Sequence, residues 1–298
     1  MLDKFTGMRV FVAAVQMGSF VAAAEKLEMS PQMVARHITS LETQLATRLL
    51  SRTTRRQNLT ATGSQYFRRC LTILQAIEDA DNEANGTAEA PAGTLRLNAP
   101  VTFGRYALVA FLTQFLQRYP QMNIELTLSD SVINPLEEGF DAVVRIGELD
   151  KNLRLAARSL AAYRLIACAA PGYLTEHGWP QHPDDLKNHQ CLGFAPWQAG
   201  FSHRWQFISE SKVSDVEVNS RLIINDWGAL LQAALRGAGV IIGYEKALAQ
   251  PLGQGKLVTL LADYRFPEQP MHLLYMPSRM KETRYRIFID ELCEYFRL

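Results

Sequence analysis

The chain has 298 residues, 48% of them hydrophobic, with a formal net charge of +1. That composition can fill a large core spread over two or three domains. Four widely spaced cysteines (Cys70, Cys168, Cys191, Cys293) without a C-x-x-C pair argue against a disulfide framework or a cysteine-built zinc site. The longest early uncharged run, Val10 to Ala24, falls short of the ~20 apolar residues of a membrane span.

The distribution of charge says more than its sum. Residues 1–70 hold ten Lys/Arg against four Asp/Glu, whereas the remainder holds 21 against 26. A basic head on a slightly acidic body fits a nucleic-acid-binding module joined to something else. With no export signal read at its start, the chain is expected in the cytoplasm, associated with the nucleoid.

In chain order, two packed helices are expected over Asp3–Gln16 and Phe20–Glu28, with Ser19 capping the second. A third opens at Ser30, a capping residue, with Pro31 at the first helical position, where the missing N–H costs nothing. In it Val34, Ile38, Leu41 and Leu45 form one apolar stripe. At ~100° per residue, Gln32, Arg36, Thr39 and Thr43 fall opposite, a polar face without a carboxylate. Periodicity alone fits an ordinary amphipathic surface helix equally well. The arginines that follow tip the balance: Arg48, Arg52, Arg55 and Arg56 lie within nine residues. The segment Arg52–Leu59 reads as a short basic hairpin, a wing able to reach phosphates or the minor groove. Arg on such a helix can fork onto guanine and Gln onto adenine in the major groove. The DNA-contacting candidates are therefore Ser30, Gln32, Arg36, Thr39, Thr43, Arg52, Arg55 and Arg56.

These residues carry a resemblance. Ala22–Leu27, Ser30–Ile38, Leu41-Glu42, Leu45, Arg48-Leu49, Arg52-Thr53 and Leu59–Gly63 resemble the LysR-type transcriptional regulators in order and spacing over about sixty residues. Two positions depart from that pattern. Ala35 stands where the family usually has serine, and Ala46 where it usually has glycine. The resemblance implies a dimer or tetramer whose linker helices pair antiparallel, and an effector domain folded like the periplasmic binding proteins.

After Thr60, a capping residue, a long helix is expected to run to about Ala84. Phe67, Cys70, Leu74 and Ile77 give it the seam of a short coiled coil, or a stripe docked on its own DNA-binding domain. Asn82 to Gly93 loses periodicity and reads as a hinge. Beyond it, strand patterns (94–98, 123–128, 141–146, 163–169, 221–224, 240–244, 271–275) alternate with helical ones (104–118, 134–138, 171–177, 226–236, 281–296). That alternation predicts mainly parallel α/β sheets. The expected architecture is α/β overall: an all-α winged helix-turn-helix at 1–60, a linker helix and hinge at 61–92, and a two-lobed α/β domain at 93–298. Lobe one covers about 93–161 and 267–298, and lobe two 162–266.

Ligands in open α/β sheets sit beyond strand carboxyl ends, near helix N-termini. That rule selects Pro100, Thr102, Phe103, Asp130, Arg145, Phe194, Trp197 and Asn225 as effector-binding candidates. Thr102 would hydrogen-bond a carboxylate, with Arg145 as counter-ion and Phe103, Phe194 and Trp197 as apolar walls. Each has a structural alternative: Arg145 paired with Glu148 or Asp141, Trp197 in the core, Asp130 and Asp226 as helix caps. His177, His182 and His189 match no metal-site spacing and read as surface loop residues.

No enzyme motif survives inspection. Gly237-Ala-Gly239-Val-Ile-Ile-Gly243 lies between a helix and a following strand, the reverse of a dinucleotide loop. No nucleophile elbow, P-loop or metalloprotease helix is present. The reading is a non-enzymatic, sequence-specific transcriptional regulator, needing no cofactor or metal and controlled by a small carboxylate or aromatic effector. Its partners would be a partly palindromic double-stranded DNA site, a second copy of itself and, as a further candidate, RNA polymerase, with no membrane. Two alternatives stay open: a redox-responsive regulator of the same fold, and a small-molecule binding protein without specific DNA readout.

Overall fold

The computed structural model describes residues 3–53, 56–84, 91–130, 139–149, 155–196, 204–209 and 212–297. Helix α1 (Lys4–Met17) starts on Asp3, whose carboxylate accepts from the Thr6 amide at 2.8 Å. It ends on Gly18, in the left-handed region at φ 65°. Helix α2 (Phe20–Lys26) is capped by Ser19, and α3 (Pro31–Gln44) by Ser30, whose Oγ accepts from the Met33 amide at 3.2 Å. One core joins them, centred on Val10, Phe11, Ala14, Ala24, Val34, Ile38 and Leu41.

Strands β1 (Leu50–Thr53) and β2 (Arg56–Leu59) form the expected hairpin, pairing antiparallel with Ser51 opposite Asn58. Helix α4 (Ala61–Ala84) follows, with the Gly63 amide donating to Thr60 Oγ1 at 2.8 Å. Its first half docks on its own domain. Cys70 is fully buried, and Phe67 meets Phe11 edge-on at 6.2 Å. Phe67, Cys70 and Leu74 are thus spent on this core, and among the described side chains of α4 the large apolar ones left exposed are Ile73 and Ile77. Residues 85–90 of the expected hinge lie outside the described residues, as does the expected helix at 134–138.

Beyond the hinge, lobe one is a five-stranded sheet in the order β4-β3-β5-β14-β6. Its strands are β3 (Gly93–Ala99), β4 (Met122–Leu128), β5 (Ala142–Ile146), β6 (Ala156–Tyr163) and, after a long excursion, β14 (Gln269–Tyr275). Helix α5 begins at Val101–Phe103, widens into a π-helical turn over Gly104–Leu108 and continues as Val109–Arg118. It packs Phe111 and Phe115 against Phe288 of the C-terminal helix (Thr283–Tyr295). That helix is tied to the sheet by Tyr285, whose hydroxyl donates to the Asp141 carbonyl at 2.6 Å and accepts from the Met276 amide at 2.9 Å.

Lobe two holds β7 (Leu165–Ala169), α6 (Pro171–His177), β8 (Gln190–Phe194), β9 (Arg204–Ser209), β10 (Lys212–Glu217) and β11 (Asn219–Ile224). Then come α7 (Trp227–Leu235), β12 (Ile241–Tyr244), α8 (Glu245–Gly253) and β13 (Val258–Leu260), with the C-terminal helix as α9. The orders β12-β7-β13 and β11-β8 are joined by a parallel bridge, Cys191 to Val240. The resulting row β11-β8-β12-β7-β13 repeats the arrangement of lobe one: parallel strands on one side, antiparallel on the other. The sheets are therefore mixed rather than mainly parallel. The strand that returns from the opposite lobe, β14, runs antiparallel to both its neighbours, β5 and β6. Among the described residues no helix is long and apolar enough to cross a membrane.

The glycines of 237–243 serve packing. Gly239 sits at φ 150°, where a Cβ would come within 2.3 Å of the Gln190 carbonyl oxygen, and a Cβ on Gly243 would strike the Trp227 ring at 2.1 Å. The histidines are also partly structural. His189 is buried rather than on the surface, and its Nδ1 lies 3.2 Å from the Tyr173 hydroxyl, which accepts from the Gln190 amide at 2.9 Å. Burial first, and the neighbouring His177 second, push the His189 pKa below its usual 6.5, with Asp185 opposing. The folded chain therefore takes up the proton on this ring only at lower pH than the unfolded chain, which protonates it below about pH 6.5. Stability is unaffected above that pH and falls as pH drops below it. Denaturation followed by tryptophan fluorescence should show a midpoint that declines as pH falls from about 6.5 to 5.5. His189→Gln should flatten the decline; an equal slope in the variant would assign it to other groups.

Candidate nucleic-acid interface and effector cleft

The buried stripe of α3 (Val34, Ile38 and Leu41, at most 3% exposed) turns the opposite face outward. Gln32, Arg36, Thr39 and Thr43 are all exposed on it. The Thr43 hydroxyl donates to the Thr39 carbonyl at 2.8 Å, so its proton is committed to its own helix. Ser30 spends its oxygen on the cap. Arg52 and Arg56 fall on β1 and β2, one on each strand of the hairpin, and Arg55 lies outside the described residues. Ala46, just past the end of α3, holds a left-handed φ of 50°, the conformation in which glycine is unstrained.

A residue that periodicity did not single out fixes the hairpin to α3. Glu42 is buried, and its Oε1 accepts from the amides of Leu49 and Leu50 at 2.8 and 3.1 Å. Its Oε2 accepts from Arg48 at 3.0 Å. From the other side Thr60 donates to the Arg48 carbonyl at 2.8 Å. The chain entering the wing is thus gripped by both the third and the fourth helix.

In the larger domain two helix starts picked out by the strand-end rule lie near each other across the lobes. Asp130, after β4, accepts from the Val101 amide at 3.0 Å and so caps the start of α5. Asp226 caps α7, accepting from the Ala229 amide at 2.6 Å. Partial burial and the nearby Asp226 raise the Asp130 pKa, which places the two carboxylates within electrostatic reach across the lobes. Arg105 of α5 lies against the first turn of α7, where a Cβ on Gly228 would come within 2.5 Å of its Nη1. Thr102 is buried beside Tyr163. Tyr163 stacks on Tyr244 at 4.1 Å, and Tyr106 meets Trp227 edge-on at 5.8 Å. Burial pushes the Tyr244 hydroxyl up to about 12, so both tyrosines stay neutral.

Three expectations need correction. Phe103 is fully buried, packed 5.1 Å from Phe296 and 6.4 Å from Tyr244, because it sits on the core side of α5. Phe194 ends β8 inside the same core. Neither is a cleft wall. Arg145 lies within β5, its guanidinium donating to Asn98 Oδ1 at 2.9 Å and to the Val144 carbonyl. Asp141, one of the two acids weighed as its partner, is engaged by Arg279. Pro100 precedes α5 with its carbonyl accepting from the Gly104 amide at 2.8 Å, Asn225 is exposed beside Asp226, and Trp197 lies outside the described residues.

A basic winged helix-turn-helix joined by a long helix to two mixed α/β lobes defines a ligand-responsive DNA-binding regulator. Residues 5–64 match the bacterial regulatory helix-turn-helix protein, lysR family, and residues 88–297 match the LysR substrate binding domain. The chain belongs to the LysR family of transcriptional regulators. It is 34% identical to the HTH-type transcriptional regulator CrgA of Neisseria meningitidis, over 96% of this chain and 95% of the relative. It is 32% identical to an HTH-type transcriptional repressor of Pseudomonas aeruginosa, over 99% and 93%. The solved structure of CrgA superposes with a TM-score of 0.63 at 33% identity, covering 98% of this chain and 99% of that one. Full-length AphB of Vibrio cholerae, described as a virulence activator, gives 0.63 at 25% identity, with 98% and 99% covered.

Proposed function

We propose that α3 is the recognition helix of this regulator and that Gln32, Arg36 and Thr39 read bases in the major groove. The observation that carries the reading is their joint exposure on one face while the other face is sealed in the core. Arg52, Arg55 and Arg56 of the hairpin hold the backbone or minor groove beside it. A pair of chains, joined through the α4 face that carries Ile73 and Ile77, presents two such helices to successive grooves of a partly palindromic site in the cytoplasm. Arg36→Ala should cost roughly 1–3 kcal/mol at one base position and relax specificity there, measured by competition gel shift on the DNA upstream of its own gene. Uniform weakening on all sequences would make Arg36 a phosphate contact instead.

The effector seat is the polar face made by Thr102, Arg105, Asp130, Asn225 and Asp226. Those groups come from both lobes, so a ligand held there favours one relative orientation of the lobes over another, and α4 carries the change to the DNA site. The redox alternative finds no support in the thiols. Cys70, Cys168 and Cys191 are buried, and burial pushes their pKa values up to about 11, 12 and 12. Cys293 is raised as well, again chiefly by burial. Such thiols carry little of the thiolate that reacts with oxidants.

A further inference from the structure

We propose that Met33 reads the C5-methyl group of a thymine in the target site and so sets specificity beside Arg36. The inference rests on α3 being the recognition helix. Met33 is 37% exposed, an apolar side chain left in solvent on a helix whose core stripe is complete without it. Its amide is the group held by the Ser30 cap, which fixes its position in the first turn of α3. That turn is the part of a recognition helix that meets base edges. At ~100° per residue, Met33 lies roughly 60° around the helix from Arg36, on the rim of the same outward face. In the major groove the one apolar feature that a base pair presents is the thymine methyl. A methionine, unbranched and soft, can shape itself to that methyl over a range of positions. Gln32 and Arg36, both to one side of it around the helix, supply hydrogen bonds, and neither can distinguish a base by its methyl group.

The test uses the full-length protein and its specific site from the gel-shift work. Each thymine is replaced in turn by deoxyuridine, which lacks only the methyl, and binding is compared for the parent, Met33→Ala and Met33→Leu. The parent should lose roughly fourfold at one thymine, or at its symmetry mate. Met33→Ala should bind thymine and deoxyuridine alike at that position, and Met33→Leu should keep part of the distinction. A parent indifferent to every deoxyuridine, or a Met33→Ala protein with the parent's profile, overturns the proposal. Arg36→Ala, run in parallel, separates the two readings. If it relaxes specificity at one base while the deoxyuridine profile is flat, only the role of Met33 fails. If it weakens all sequences equally, the recognition helix itself is misassigned.

Discussion

Glu42→Ala should destabilise the DNA-binding domain by about 3 kcal/mol and abolish specific DNA binding at growth temperature. The side chain gives two buried amides, those of Leu49 and Leu50, their acceptor. Leu49 is fully buried, so water cannot replace the carboxylate. Each buried N–H left unpaired costs ~1–3 kcal/mol, and more when its partner was charged. Against this stands the relief of desolvating a carboxylate, which brings the sum below the upper end of that range. The Arg48 pair adds little, because the Arg48 side chain is 63% exposed and solvent screens it. Glu42→Gln separates these contributions. Its amide oxygen still accepts from the two backbone groups, so it should lose about half as much. Far-UV circular dichroism reports the helices of this domain, while all four tryptophans (Trp179, Trp197, Trp205, Trp227) lie in lobe two. The two signals should part company in Glu42→Ala, the first shifting and the second holding. If the circular dichroism midpoint stays within ~0.5 kcal/mol of the parent, the buried acceptor is dispensable.

Glu42 also shows where sequence reasoning stops. Helical periodicity finds the stripe of α3 and its exposed face, since both follow from 3.6 residues per turn. Caps are equally local, and Ser19, Ser30 and Thr60 each do what their chemistry predicts. Glu42 lies about 80° from Val34 around the helix, at the boundary between faces. Only the return of the chain at Leu49 decides that it is buried. Strand direction is non-local in the same way. Alternating helix and strand patterns imply parallel neighbours, yet β14 comes back from the other lobe and must insert antiparallel. The strand β6 has weak alternation in Ala156–Tyr163 and is a strand because β14 pairs with it. In the β9–β10 pair Arg204-Trp-Gln-Phe207 alternates as a half-buried strand should, whereas its partner Lys212–Glu217 is mostly polar and exposed. At the proposed effector seat, the strand-end rule selects Thr102, Asp130 and Asn225. Tyr244, at the carboxyl end of β12, meets the same rule. Arg105 leaves no local signal, because its contact with Gly228 exists only when the lobes meet.

Gly63→Ala is the sharper case, because two arguments predict opposite signs. Gly63 lies inside α4, where replacing glycine by alanine ordinarily gains ~1 kcal/mol of helix propensity. Here the new Cβ would stand 1.9 Å from the Leu49 carbonyl oxygen and 2.7 Å from its carbon. Both are backbone atoms, so no rotamer change relieves the overlap; α4 must move away from the start of the wing. Overpacking of this kind costs ~1–3 kcal/mol or more, and the Thr60 bonds to the same segment would stretch with it. A net loss of about 2 kcal/mol is expected, read by circular dichroism denaturation, together with weaker specific DNA binding. Gly7→Ala is the internal control. There the Cβ would meet the Leu41 side chain at 3.7 Å, an ordinary contact, so the propensity gain should survive and the domain should become more stable. If Gly63→Ala were stabilising too, the close approach of α4 to Leu49 would not be a feature of the folded protein in solution. If the signs differ as expected, the helix leading to the effector domain touches the wing without slack. A shift of α4 driven by the lobes would then press on Arg48 and Leu49, the segment at the entry to the wing that Glu42 ties to α3.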